Sequence, residues 1–438
     1  MSQALSHDAD RTASPVLARS AYPSAALLTL VPLAALVARL VADSDPLRAT
    51  LVVAACAVAT AGLATQHVAR HGLVPPRLAC SAPHLGLFLL AMLIGAYGLA
   101  LGLWRGNDAY YLAAGAYHWA VELLAIALLT SALTHRLPAG EMVRLCAVMG
   151  LVLGTVSVIA IAGGYAGVVQ HGGHFVGGGS EGIWLFNAGL MFPQILLIYV
   201  LAALWFSRDT PAITRRALIV AAIILTIVLV MTFKRTMWLT TLIAVAVLWL
   251  PHARLLWLTV VLSLIAAAGI TYAVMDASRV FSLLDFLTYN PEYRVTDTMA
   301  DRSRQLADVW RYVPAQPLGH GMGAEFHTFA PGSEQRVDVH YIHNIYLTCL
   351  LQFGLPATVL AVQLWFVFAT RTIRAIGRAP AWDWLLRATL ASLVVFALSG
   401  TTLNATHTVW MGLAVGLGAA AITASARAAA NRDAAHIP

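Results

Sequence analysis

The chain has 438 residues, 60% hydrophobic and only 11% charged, with a formal net charge of +7. This balance excludes a soluble globular protein and describes a polytopic helical membrane protein. Strand alternation is absent, which excludes an outer-membrane barrel. The positive charge falls in short loops between apolar segments, so it does not imply nucleic acid.

The first 22 residues are polar, with Arg11 and Arg19, and lead into an apolar segment long enough to span. With no convincing cleavage site, this start reads as a signal-anchor. A spanning helix needs about 20 mostly apolar residues. About twelve segments qualify: 23–42, 49–68, 83–104, 111–134, 141–163, 183–206, 215–232, 236–250, 253–275, 345–370, 384–402 and 408–427. The eighth is short. The chain thus divides into a tail (1–22), helices one to nine (23–275), a polar cap (276–344), helices ten to twelve (345–427) and a second tail (428–438).

Between the first two segments, Asp43-Ser44-Asp45 forms a DxD tripeptide, a pattern some membrane glycosyltransferases use to hold a divalent cation. The pattern alone is a weak signal, and a solvated turn leading into Pro46 accounts for it better. Cys56, Cys80, Cys146 and Cys349 lie in or beside apolar segments without CxxC spacing, so neither a disulfide framework nor a metal knot is indicated. Arginine placement puts both termini in the cytoplasm and the cap outside. The glycine-dense loop 163–182, with His171 and His174, reads as a mobile outer connector that could gate a cleft.

The segment 276–344 interrupts the apolar pattern and holds six arginines. Phe281 to Leu287 suits a short interfacial helix. Leu306, Val309, Trp310 and Val313 make an apolar helical stripe from Arg302 onward, ended by Pro314 and Pro317. Gly319, Gly321 and Gly323 then predict a flexible turn. The cap therefore folds over the bundle.

Chemistry concentrates at the cap and its neighbours. His343 stands at the mouth of the tenth span, where an imidazole can accept a proton from a hydroxyl nucleophile. His340 precedes it by three residues, and Asn344 follows. Lys234-Arg235 sits between spans seven and eight, where cations so close to hydrocarbon usually face a cavity or a partner. Arg302, Arg304 and Arg311 lie along the cap helix. A guanidinium suits bidentate phosphate binding, although Asp297, Asp301 and Asp308 offer ordinary salt bridges.

Three patterns, in order, resemble the O-antigen ligase and polymerase superfamily of bacterial inner-membrane glycosyltransferases. They are Thr232-Phe233-Lys234-Arg235-Thr236; the stretch from Arg302 and Arg304 through Trp310 to Pro317-Leu318-Gly319-His320-Gly321-Met322-Gly323; and His343-Asn344-Ile345-Tyr346-Leu347. The resemblance covers roughly residues 180 to 400. It implies an all-α polytopic membrane protein, a GT-C-like glycosyltransferase with about 12 transmembrane helices and a helical periplasmic cap. It further implies His343 as catalytic base and Arg235, with Lys234 beside it, as pyrophosphate-binding. Arg302 or Arg304 would be the second phosphate arginine, with His340, Asn344 and Arg311 as supporting residues. Both stand farther from the tryptophan than the family's arginine does, which leaves the choice open. No metal or other cofactor is implied. The expected donor is an undecaprenyl-pyrophosphate-linked glycan and the expected acceptor a lipid A-core sugar. A polymerase using the same donor, and a polyprenyl-glycan transporter or flippase, are the alternative functions.

Overall fold

The computed structural model describes residues 24–34, 45–71, 82–165, 191–207, 209–231, 235–250, 252–275, 307–308, 310–329, 336–339, 344–400 and 408–435. Within these lie twelve apolar helices: α1 (Ser24–Ala34), α2 (Asp45–His71), α3 (Ala82–Arg105), α4 (Ala109–Thr134), α5 (Ala139–Tyr165), α6 (Met191–Phe206), α7 (Ala212–Met231), α8 (Arg235–Trp249), α9 (Ala253–Met275), α10 (Ile345–Ala375), α11 (Pro380–Ser399) and α12 (Thr408–Ala435). Eight are long and apolar enough to cross a membrane by length and composition. The molecule is an all-α, multi-pass membrane protein, as its composition requires. In hydrocarbon each backbone amide must find a partner within the protein, which leaves helices as the economical solution.

The core runs along α11, where Trp384, Leu385, Leu386, Leu390, Leu393 and Val394 are all but sealed from solvent. α11 packs against α6, α8, α9, α10 and α12. Its Arg387 donates Nη1 hydrogen bonds of 3.0 Å to Leu248 O and Leu250 O, two carbonyls that the end of α8 leaves unpaired. The guanidinium also lies 4.9 Å from the Phe206 ring centroid. α12 meets α4 through Gly412 and Gly416, whose missing side chains admit the carbonyls of Glu122, Leu123 and Ala127. α12 continues to Ala435, well past residue 427, because its last turns are rich in alanine, the strongest helix former.

The described part of the cap is helical residues at 307–308 and 310, one further helical turn (Tyr312–Ala315), a glycine loop, and an antiparallel hairpin of β1 (Phe326–Phe329) and β2 (Arg336–Val339). The hairpin is an addition to the helical cap that the sequence suggests.

The glycine loop is a clasp rather than a flexible turn. α10 is broken at Gly354 (φ 74°, ψ 176°), two residues before Pro356. Proline carries no amide hydrogen, so the Gln352 carbonyl loses its helical donor. The loop supplies what the break removes. Gly321 N donates to Gln352 O (3.0 Å), His320 N donates to Leu351 O (2.6 Å), and Leu355 N donates to Pro317 O (2.8 Å). From the other side, Met322 N donates to Gly98 O (2.9 Å), Tyr97 Oη donates to Leu318 O (2.5 Å), and Asn107 Nδ2 donates to both His320 O and Met322 O at 2.9 Å. Met322 and Phe326 are fully buried beneath. Gly319 (φ 91°) and Gly321 (φ 84°) are required because a Cβ on either would strike the backbone of Gly354 or Gly102.

Two predictions follow from the clasp. Gly354→Ala places a methyl group against the Leu318 and Gly319 backbone in a conformation open essentially only to glycine, and should cost at least about 3 kcal/mol. Gly377→Ala, also at positive φ but facing open space, should cost only about 1 kcal/mol. Thermal unfolding in detergent micelles ranks the two. The second prediction concerns His320, whose Nε2 pairs with Tyr312 O at 3.3 Å and whose ring meets Tyr312 and Phe326 edge-on. Burial pulls its pKa below the ordinary 6.5, with the nearby Arg105 cation adding to the effect and the bond to Tyr312 opposing it. The fold favours the neutral ring, so this contribution is complete above pH 6.5 and is lost as pH falls through the lower folded value. The unfolding temperature should fall on acidification, and His320→Phe should lessen that fall.

Candidate active site

Asn344 opens α10, and its environment follows from a simple requirement. The first amides of a helix have no partner within it, and here they are buried. Asn344 is itself inaccessible to solvent. Its Oδ1 accepts hydrogen bonds of 3.0 Å from both Tyr346 N and Leu347 N. Ile345 N donates to Gly400 O (2.9 Å), the last carbonyl region of α11, and Thr348 N donates to Asn344 O (3.0 Å). Tyr346 Oη adds a 2.5 Å bond to Ala397 O. The mouth of α10 is thereby welded to the end of α11. Asn344, expected as a supporting site residue, acts as the N-cap that fixes this mouth. The same bonds occupy the amides that could otherwise hold an anion at a helix start.

His343 is joined to Asn344 by a single peptide bond but lies outside the described residues, as do His340, Lys234, Arg302, Arg304, Asp43 and the loop 166–190 with His171 and His174. Arg235 is the first residue of α8. That first turn is held from two directions. Gln194 of α6, fully buried, donates through Nε2 to Met237 O (3.2 Å) and Thr240 Oγ1 (2.7 Å). Trp238 Nε1 donates to Leu229 O (2.9 Å) near the end of α7. The first turn of α8, which begins at Arg235, is therefore fixed. Arg311 is exposed and lies 3.7 Å from Asp308, one turn away, which is a surface ion pair. Asp45 begins α2 with Pro46 after it, the arrangement of a helix start.

Below the mouth of α10 lies an apolar cavity of about 230 Å³. Ile345, Tyr346 and Gly400 form its upper rim, Trp119 and Cys349 its middle, and Trp365 and Phe368 its far end. It thus follows α10 for most of the membrane-crossing length. Sequence periodicity cannot reveal such a space, because residues facing a cavity and residues facing a core are equally apolar.

One ionisable pair is absent from the sequence-derived candidates. Within α4, residues His118–Ala125 form a π-helix, and His118 Nδ1 stands 2.6 Å from Glu122 Oε2. The carboxylate is buried. Ionisable groups within a span are costly and are retained when paired, and π-turns often mark functional positions. The signal was available: two ionisable residues four apart inside the otherwise apolar segment 111–134.

A family model described as O-antigen ligase matches residues 220–362. The match begins in α7 and ends in α10, and so contains Arg235, the cap, the glycine clasp, His343 and Asn344, and the break at Gly354. No curated protein matches the chain. The match covers about a third of the chain and, with the order of the three motifs inside a multi-pass helical bundle, makes this part of it similar to the O-antigen ligase family.

Proposed function

We propose that the protein transfers a glycan from undecaprenyl pyrophosphate to a sugar of lipid A-core, on the periplasmic face of the bacterial inner membrane, with inversion and without a metal. The family match supports a ligase- or polymerase-type activity in O-antigen biosynthesis. The observation that carries the finer reading is the meeting of two features at one point. The fixed mouth of α10, one residue along the chain from His343, borders an apolar cavity whose lining continues to Trp365 and Phe368. A substrate with a long hydrocarbon chain and a polar reacting end suits that geometry.

In this mechanism His343 takes the proton of an acceptor hydroxyl as that oxygen attacks the anomeric carbon. The new glycosidic C–O bond forms as the anomeric carbon's bond to the pyrophosphate oxygen breaks, on the opposite face. Undecaprenyl pyrophosphate departs with the bonding electrons, and His343 later releases its proton to water. Arg235, with Arg302 or Arg304, neutralises the charge gathering on the leaving group. This work falls to side chains because the amides at the start of α10 are already engaged. Lys234 adds positive charge, and the cap excludes water that would hydrolyse the donor. The acceptor could instead be a second lipid-linked repeat, which would make the enzyme a polymerase with the same chemistry.

Purified protein supplied with lipid-linked O-antigen and rough lipopolysaccharide tests the reading. Wild type should build a lipopolysaccharide ladder in excess EDTA, and His343→Ala should lose about a thousandfold in kcat while remaining folded. Abolition by EDTA, or full activity in His343→Ala, contradicts the mechanism. Asn344 separates position from chemistry. Asn344→Ala strands two buried amides and should lower stability by about 1–3 kcal/mol together with activity, whereas Asn344→Asp keeps the acceptor and should restore much of both.

A further inference from the structure

α3 has two unlike faces. Phe88, Ala91 and Ile94 turn inward and line the apolar cavity. On the opposite side Leu90, Leu93 and Tyr97 form an exposed stripe that ends at Trp104, 81% exposed, and Arg105. Beside that end the clasp loop forms an open groove of about 620 Å³, walled by Trp104, Arg105, Ala315, Gln316, Pro317 and Leu318. The groove is preformed, because Tyr97 holds Leu318 O and Leu355 holds Pro317 O. No carboxylate among the described residues pairs with Arg105. The nearest one along the chain, Asp108, uses Oδ1 to cap α4 at Tyr110 N and Tyr111 N. In the same wall Gln316 supplies a polar side chain, its Oε1 buried and its residue only partly so.

Read along α3, the surface offers an apolar stripe, then an indole ring, then a guanidinium, then an amide. That is the sequence of acyl chain, interface, phosphate and sugar in a phosphorylated glycolipid. We propose that this groove seats the diphosphorylated disaccharide headgroup of the acceptor lipid. Arg105 binds a phosphate, Trp104 lies against the sugar–acyl junction, and the acyl chains follow Leu90, Leu93 and Tyr97. The proposal rests on the ligase reading above. It puts donor carrier and acceptor lipid on opposite faces of one helix, so both lipids remain in the bilayer while their polar ends meet beneath the cap.

The test is retention of lipid by the full-length, detergent-purified protein, read by native mass spectrometry. The probes are diphosphoryl lipid A, monophosphoryl lipid A and phosphatidylglycerol. Wild type should retain diphosphoryl lipid A in preference to both others, and Arg105→Gln should weaken that retention about tenfold, the loss of one charge-assisted contact. Trp104→Leu should weaken it less. Equal retention by wild type and Arg105→Gln overturns the proposal. So does equal retention of phosphatidylglycerol, which would make Trp104 and Arg105 a general interfacial anchor. Transfer assays run alongside keep the two readings apart. Elongation on the carrier instead of on lipopolysaccharide refutes the ligase reading whatever the binding result. Transfer to lipopolysaccharide with an unchanged acceptor KM in Arg105→Gln refutes the groove alone.

Discussion

The structure depends on repairing one broken helix. α10 is interrupted at Gly354, and Pro356 removes a further donor, which leaves Leu351 O, Gln352 O and Leu355 N without their helical partners. In a membrane such groups cannot turn to bulk water, and each left alone costs several kcal/mol. The cap loop meets the need with its own backbone, and in doing so is drawn between α3 and α10. Its glycines follow from that contact, because two main chains approach too closely for any side chain to stand between them.

The repair also ties the described part of the cap to the helical bundle. The clasp anchors the cap nine or so residues below the start of α10, while Asn344, Gly400 and Tyr346 fix the start itself. His343 thus leaves from a point anchored on both sides. Arg235 leaves from a helix whose first turn is pinned by Gln194 and Trp238. On the proposed mechanism, preorganisation of this kind suits glycosyl transfer, in which base and charge-neutralising groups must be in place before the leaving group departs. Supporting bonds of this sort, made by buried amides and indoles, are how a membrane bundle aims a few charged side chains.

Much of this was legible in the sequence, and the limits have physical causes. Each of the twelve apolar segments overlaps one of the twelve apolar helices among the described residues, with ends differing by up to eight residues, because the bilayer demands long apolar runs. The family motifs pointed to α8, the cap and the mouth of α10. The clasp was not legible: Asn107 and Met322 are joined across more than two hundred residues, and no local period encodes that contact. Gly319 and Gly321 were read as flexibility where the structure shows close packing, since the sequence alone cannot tell a glycine that must bend from one that must make room. The strands of the β1–β2 hairpin, four residues each, are too short for alternation to register. His118 and Glu122 were passed over because an apolar average conceals a compensated pair. Asn344, a candidate supporting residue, caps α10, a role that asparagine before an apolar run often announces.

The central claim is that the carrier lipid lies in the cavity beneath the mouth of α10. It is tested most directly with an undecaprenyl-pyrophosphate glycan bearing a photoreactive diazirine on its isoprenoid chain, followed by peptide mapping of the labelled protein. The account predicts labels on Trp119, Cys349 and Trp365, along the cavity wall. Labels confined to outward-facing residues such as Ile223, Leu239 and Leu242 would contradict it.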